Sequence, residues 1–157
     1  MQDSFTVSEA TKKLEHYCAY QERCHEEVVR KLRSMNMISQ AIDIIVVHLI
    51  ENNYLNEERF ARSFARGKHR IKSWGKTRII SELKARHISK YNIDAALKEI
   101  SLDEYLETFN KTSETIWENI RENNALKKRK KFCDYLLRKG FESNLIYEKV
   151  KELELNS

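Results

Sequence analysis

A chain of 157 residues with no proline and only three glycines, Gly67, Gly75 and Gly140, has few means of turning sharply. An all-β sandwich or barrel needs a Gly/Pro-rich turn about every 8–12 residues, so this chain points to an all-α fold. Its charged residues (34%) and hydrophobic residues (41%) suit a folded protein rather than a disordered one. The longest apolar runs are short, as in Ile44-Ile45-Val46-Val47, against the roughly 20 residues needed to cross a bilayer. The opening Met1-Gln2-Asp3-Ser4-Phe5-Thr6-Val7 lacks the basic start and apolar core of a secretory signal. A soluble, cytoplasmic protein without a membrane partner is expected.

Hydrophobic spacing repeats three times along the chain. With Leu32, Leu83 and Leu136 as zero, seven offsets are apolar in every segment. The first segment carries Val28, Val29, Leu32, Met37, Ile42, Val46 and Leu49; the second Ile79, Ile80, Leu83, Ile88, Ile93, Leu97 and Ile100; the third Phe132, Cys133, Leu136, Phe141, Ile146, Val150 and Leu153. Offsets −4, −3 and 0 share one helix face, and +10, +14 and +17 share another. Offset +4 holds Asn36, His87 and Gly140, residue types that tolerate the left-handed conformation at a helix end. The apolar residue at +5 then folds back onto the helix just ended, so each segment predicts a helical hairpin.

A further helix precedes each hairpin. Leu14, Tyr17, Cys18 and Gln21 form a stripe in the first, and Phe60, Ala61, Phe64 and Ala65 a tighter one in the second. Asn56 is placed to cap that second helix, with Glu57 and Glu58 in its first turn. Tyr105, Leu106 and Phe109, then Ile116, Trp117 and Ile120, suggest a longer or interrupted helix in the third. The expected organisation is three tandem three-helix repeats, near 8–54, 55–101 and 102–155, in an elongated, curved arrangement. A unit of about 50 residues is marginal alone, and stacking on neighbours supplies the missing burial.

A formal charge of +5 hides a strong alternation. Residues 62–90 hold Arg62, Arg66, Lys68, Arg70, Lys72, Lys76, Arg78, Lys84, Arg86 and Lys90 against Glu82 alone, ten positives to one negative, a local +9. Residues 99–123 hold seven acids against Lys111 and Arg121, a local −5. Residues 127–139 hold Lys127, Lys128, Arg129, Lys130, Lys131, Arg138 and Lys139 against Asp134, a local +6. Basic faces with an aromatic nearby are the footprint of a polyphosphate partner. The candidate contact residues are Arg62, Arg66, Lys68, Arg70, Lys72, Trp74, Lys76, Arg78, Lys84 and Arg86, with Lys127, Lys128, Arg129, Lys130 and Lys131. Trp74 reads equally as a base-stacking platform or as packing at the turn.

No catalytic constellation is visible: the chain has no Gly-rich phosphate loop, G-x-S-x-G or H-E-x-x-H. Its five histidines share no ligand spacing, and Cys18, Cys24 and Cys133 form no C-x-x-C pair. His16, Cys18, Cys24 and His25 lie close in sequence, but ordinary thiols and imidazoles are expected there. No enzyme activity, cofactor or metal is anticipated.

Tyr54-Leu55-Asn56-Glu57-Glu58-Arg59-Phe60-Ala61, followed by Gly75-Lys76-Thr77-Arg78-Ile79-Ile80-Ser81-Glu82-Leu83 and Ile88, resembles the central signature of the RecX family. Lys139-Gly140-Phe141 and the segment from Ala10 to Leu32 extend the resemblance over roughly residues 8–153. Asn56 stands where the family usually has Asp, and Arg86-His87-Ile88 where it usually has Lys-Gly-Ile; both are substitutions at helix boundaries. The resemblance implies a negative regulator of the RecA recombinase in DNA repair and recombination. Such a protein would lie in the groove of the RecA–DNA filament, limiting filament extension, strand exchange and ATP hydrolysis. It also implies binding to single- and double-stranded DNA with little sequence preference. The matched positions Tyr54, Leu55, Phe60, Ala61, Ile79, Leu83 and Ile88 read as structural. A monomer is expected, its basic faces meeting phosphates or acidic groove walls and its acidic stretch meeting basic protein surface. The alternatives are a helix-turn-helix type transcriptional regulator and a helical adaptor whose charges only confer solubility.

Overall fold

The computed structural model describes residues 4–157; residues 1–3, the start of the N-terminal segment, lie outside the described residues. Among the described residues there are nine α-helices and no strand. They are α1 (Val7–Tyr20), α2 (His25–Ser34), α3 (Ser39–Glu51), α4 (Glu57–Lys72), α5 (Lys76–Ala85), α6 (Lys90–Leu97), α7 (Leu102–Asn119), α8 (Ala125–Lys139) and α9 (Ser143–Leu155). The fold is three tandem three-helix repeats, and none of the described helices is long and apolar enough to cross a membrane. The accessible surface is 10208 Å², against roughly 8300 Å² for a compact monomer of this mass, which agrees with an elongated shape.

Helix starts follow local chemistry. Asn56 accepts a hydrogen bond from Arg59 N (2.9 Å) as expected, and Ser89, Ser101 and Asn124 cap α6, α7 and α8 the same way. Thr6 and Glu9 form a reciprocal capping box on α1. Gln21, expected in the α1 stripe, lies one residue past that helix and is exposed. The α7 helix runs unbroken for 18 residues, the longer of the two forms expected.

The three middle helices end alike. Asn36, His87 and Gly140 adopt φ of 61°, 60° and 97°. The next residue turns back, so that Met37 N, Ile88 N and Phe141 N donate to the carbonyls of Leu32, Leu83 and Leu136 at 3.1–3.2 Å. This is the Schellman closure of a helix terminus. It explains why the anchor leucines and the following apolar residue recur at a fixed spacing. Leu32, Leu83 and Leu136 are all fully buried, and truncating such a side chain costs about 2–5 kcal/mol. One interior position breaks the apolar rule. Ile45 and Ala96 correspond to Lys149, which is buried and donates to Glu114 Oε1 at 2.9 Å.

Two hydrophobic cores result, not three. The first gathers Leu14, Val28, Leu32, Ile45 and Leu49 from α1–α3. The second runs through α4–α9, from Phe60, Ile79 and Leu83 to Tyr105, Phe132, Leu136 and Phe141, and from α1–α3 only the adjoining Cys24 reaches it.

The joint between α5 and α8 is made by backbone. Gly75 N donates to Lys139 O (2.8 Å) and Thr77 N to Gly140 O (2.9 Å). The positive end of one helix dipole thus meets the negative end of another. Lys76 N donates to the Tyr105 hydroxyl (3.0 Å), which donates to Glu142 (2.7 Å). A Cβ on Gly75 would lie 2.3 Å from Gly140 C, and one on Gly140 would lie 2.2 Å from Arg78 Cβ. The approach therefore needs glycine on both sides.

At the joint between α2 and α5 the corresponding residues are Cys24 and His87, and no backbone hydrogen bond crosses it among the described residues. Cys24 N is capped by Glu27 instead (3.3 Å). Side chains hold this joint: Arg59–Glu22 at 2.6 Å, His25–Glu57 at 3.0 Å and His87–Glu26 at 3.8 Å. A cleft of about 600 Å³, lined in part by Glu22, Cys24, Phe64, Lys68 and Arg86, remains open there.

Ion pairs tie α4 to the α6–α7 junction and to the first turn of α7. Glu99 receives Arg62 (3.0 Å) and Arg66 (3.3 Å), and Glu104 receives Arg70 (2.9 Å). Hydrogen bonds from Arg62 and Arg70 hold these two carboxyls below the usual glutamate range. Arg129 does the same to Glu154, and Lys131 to Glu122.

Three outcomes are expected. Gly140→Ala should lower unfolding stability by about 2–5 kcal/mol, combining left-handed strain with overpacking, as read by urea denaturation. Gly67→Ala, whose added Cβ meets nothing within 4 Å in the interior of α4, should instead stabilise by about 0.5–1 kcal/mol. The depressed carboxyls bind protons more readily unfolded, so their stabilisation is complete above the ordinary value of 4.5 and lost as pH falls through their folded values. The melting temperature should drop on acidification from about pH 5 to 3, and less steeply in Glu99→Gln/Glu104→Gln.

Candidate nucleic-acid interface

The fold divides the cations among the candidate contact residues, all of them but Trp74, into two groups. Arg62, Arg66, Arg70, Arg86, Arg129, Lys130 and Lys131 are paired with Glu58 or Glu99, Glu99, Glu104, Glu82, Glu154, Asp134 and Glu122, respectively. Much of the charge alternation along the sequence is thus closed within the chain. Glu99, Glu104, Glu114 and Glu122 of the acidic stretch face the protein's own cations. Lys68, Lys72, Lys76, Arg78, Lys84, Lys127 and Lys128 have no carboxylate at ion-pair distance among the described residues.

Most of these unpaired cations converge where α4 and α5 meet the end of α8. Lys139 Nζ donates to Lys72 O (2.7 Å) and Arg78 Nη1 to Arg138 O (3.2 Å). The close approach of Gly75 and Gly140 brings the two basic blocks together here. Burial first, then the adjacent Arg78 and Lys72 charges, push the Lys139 ammonium below its ordinary range. A cluster of cations that destabilises its own charge is a site where an arriving anion gains most. Arg138 and Lys139 join the contact set only through the fold, since the sequence reading does not include them. The available signal is their position beside Gly140, in the segment that the helix end presents to its neighbour.

Aromatic rings stiffen the cluster. Arg78 lies over the Trp74 ring at 4.0 Å and Lys68 at 5.0 Å, while the ring edge meets Phe64 with centroids 6.1 Å apart. Trp74 therefore packs at the turn and orients two cations, each such contact being worth about 0.5–2 kcal/mol. Lys76 sits over Tyr105 (4.7 Å) and Lys128 over Trp117 (4.0 Å). Beneath Trp74, the fully buried His69 places Nδ1 2.9 Å from Trp74 O and stacks on Tyr105 at 5.4 Å. Burial, reinforced by the Glu142 contact, raises the Tyr105 hydroxyl far above its ordinary range, so it serves as a neutral bridge. Lys84 and Lys127 lie away from this contact set, on the exposed surfaces of α5 and α8.

Of the residues considered for a metal, Cys24 and His25 have other partners. Cys24 Sγ donates to Glu27 (3.2 Å), and His25 pairs with Glu57. All three cysteines are buried free thiols; burial pushes them up, Cys24 to about 11, which leaves them unreactive.

Comparison with known proteins places this geometry. A family model described as RecX, second three-helix domain, matches residues 56–97, from the α4 cap to the end of α6. Regulatory protein RecX of Lactobacillus johnsonii is 28% identical over 141 residues, covering 90% of this chain and 52% of that protein. Regulatory protein RecX of Finegoldia magna is 28% identical over 131 residues, covering 80% and 62%. The chain spans about half the length of the curated relatives it matches. The crystal structure of RecX from Lactobacillus salivarius superposes with a TM-score of 0.78 at 26% identity, covering 95% of this chain and 97% of that one. A second crystal structure of regulatory protein RecX shares the fold with a TM-score of 0.82. From the capped α4 to the end of α6 this chain matches the second three-helix domain of RecX, and over nearly its whole length it is similar to regulatory proteins RecX and shares the fold of their crystal structures.

Proposed function

We propose that this chain is a non-enzymatic, cytoplasmic regulator of RecA, acting as a monomer in the groove of the RecA–DNA filament. There it limits filament extension, strand exchange and ATP hydrolysis in recombinational repair. Support comes first from relatives named as regulatory proteins along about 90% of the chain. The observation that carries the mechanism is the convergence of Lys68, Lys72, Arg78 and Lys139 on one seam, with no carboxylate at ion-pair distance among the described residues. In this reading the divisions near 8–54, 55–101 and 102–155 are successive contact modules. A rod of such modules engages several filament subunits, and individually weak contacts add through effective concentration. DNA of either strandedness is held mainly through phosphates, with little sequence preference and a steep salt dependence.

The test is the DNA-dependent ATPase of RecA with this protein titrated in below one copy per RecA. A falling rate and shorter filaments are expected. An unchanged rate and length overturns the proposal. Selection from random duplexes should return no consensus; a site preferred by ~10³-fold or more would indicate a sequence-specific regulator instead.

A further inference from the structure

If the cationic seam meets DNA, phosphate attraction alone does not distinguish a single strand from a duplex, so a second kind of contact is needed for that choice. An aromatic ring accessible to an unpaired base would supply it. Rings in the basic region are mostly unavailable. Trp74, Phe64, Tyr105 and Trp117 lie under cations within 4.0–5.6 Å, and Phe132 and Phe141 are buried.

Tyr135 differs. It is 40% exposed on α8, with its nearest cation, Lys139 Nζ, 5.9 Å from the ring centroid. Helical spacing brackets it with Lys131 four residues before, and with Arg138 and Lys139 three and four residues after. Lys131 is paired with Glu122, but the other two have no carboxylate at ion-pair distance among the described residues. Past them the seam adds Lys72 and Arg78. The other well-exposed tyrosines lack this setting: Tyr20 ends α1, outside both basic blocks, Tyr91 adjoins the closed Lys90–Asp94 pair, and Tyr147 is followed by Glu148.

Resting on the DNA-binding reading above, we infer that Tyr135 is a base-stacking platform through which α8 and the seam prefer single-stranded DNA to duplex. Phosphates on either side of a splayed base would reach Lys131 on one flank and Arg138, Lys139 and Arg78 on the other. Duplex bases are already stacked on one another and offer the ring no free face, so the tyrosine adds nothing to duplex binding.

The experiment compares the parent chain, Tyr135→Ala, Tyr135→Phe and Arg138→Ser. Fluorescence anisotropy follows their binding to a labelled oligothymidylate and to a duplex of equal length across a salt series. Tyr135→Ala should bind the single strand about 5- to 150-fold more weakly, with its duplex affinity and its salt slope unchanged. Tyr135→Phe should match the parent within about twofold, since the π-face is retained. Arg138→Ser should instead reduce the single-strand salt slope by about 0.7, the share of one phosphate contact. Circular dichroism melting checks that each variant is folded. The inference is overturned if Tyr135→Ala keeps full single-strand affinity, if it weakens duplex binding equally, or if Tyr135→Phe fails alongside it. A parent chain that binds neither DNA overturns the cationic-interface reading itself, and this one with it.

Discussion

The meeting of Gly75 with Gly140 is the contact on which the larger body of this protein depends. Two helix ends of opposite partial charge are brought to hydrogen-bonding distance, and neither partner has room for a Cβ. Around that contact α4–α9 close into one core, Tyr105 bridges Lys76 to Glu142, and two basic segments distant in sequence become neighbours. The cationic surface is in this sense a by-product of a packing requirement.

The neighbouring joint shows what happens when that requirement is not met. Cys24 and His87 carry side chains where the other joint has glycines, and the backbones stay apart. Ion pairs and an open cleft replace the head-to-tail hydrogen bonds. The same three-helix unit is thus joined to its neighbours in two physically different ways, one through backbone and shared core, the other through solvent-accessible side chains. Surface pairs of this kind contribute little each, whereas the shared core contributes through every apolar group it removes from water.

Charge is organised on a similar principle. The cations that alternate with acids along the chain are largely consumed by pairs linking successive helices, as with Arg62, Arg66 and Arg70. Those that gather at the seam have backbone carbonyls and aromatic rings as partners. Such partners hold a cation in place without cancelling its charge, which leaves it able to attract phosphate.

The spacing of apolar residues by itself determined the helices and their ends. Leu32, Leu83 and Leu136 mark equivalent buried positions, and Asn36, His87 and Gly140 take the left-handed turn that their residue types tolerate. These features were legible because helix periodicity and backbone sterics act over a few neighbouring residues. Lys149 was not legible as an interior residue, because its burial depends on a carboxylate from α7. Nor did a count of charges distinguish Arg70, paired across 34 residues with Glu104, from Arg78, held by a backbone carbonyl and the Trp74 ring. Only the tertiary structure decided which units share a core, which cations remain unpaired, and which tyrosine faces solvent among them. Each of these depends on distances between segments far apart in the chain, and no local pattern fixes those distances.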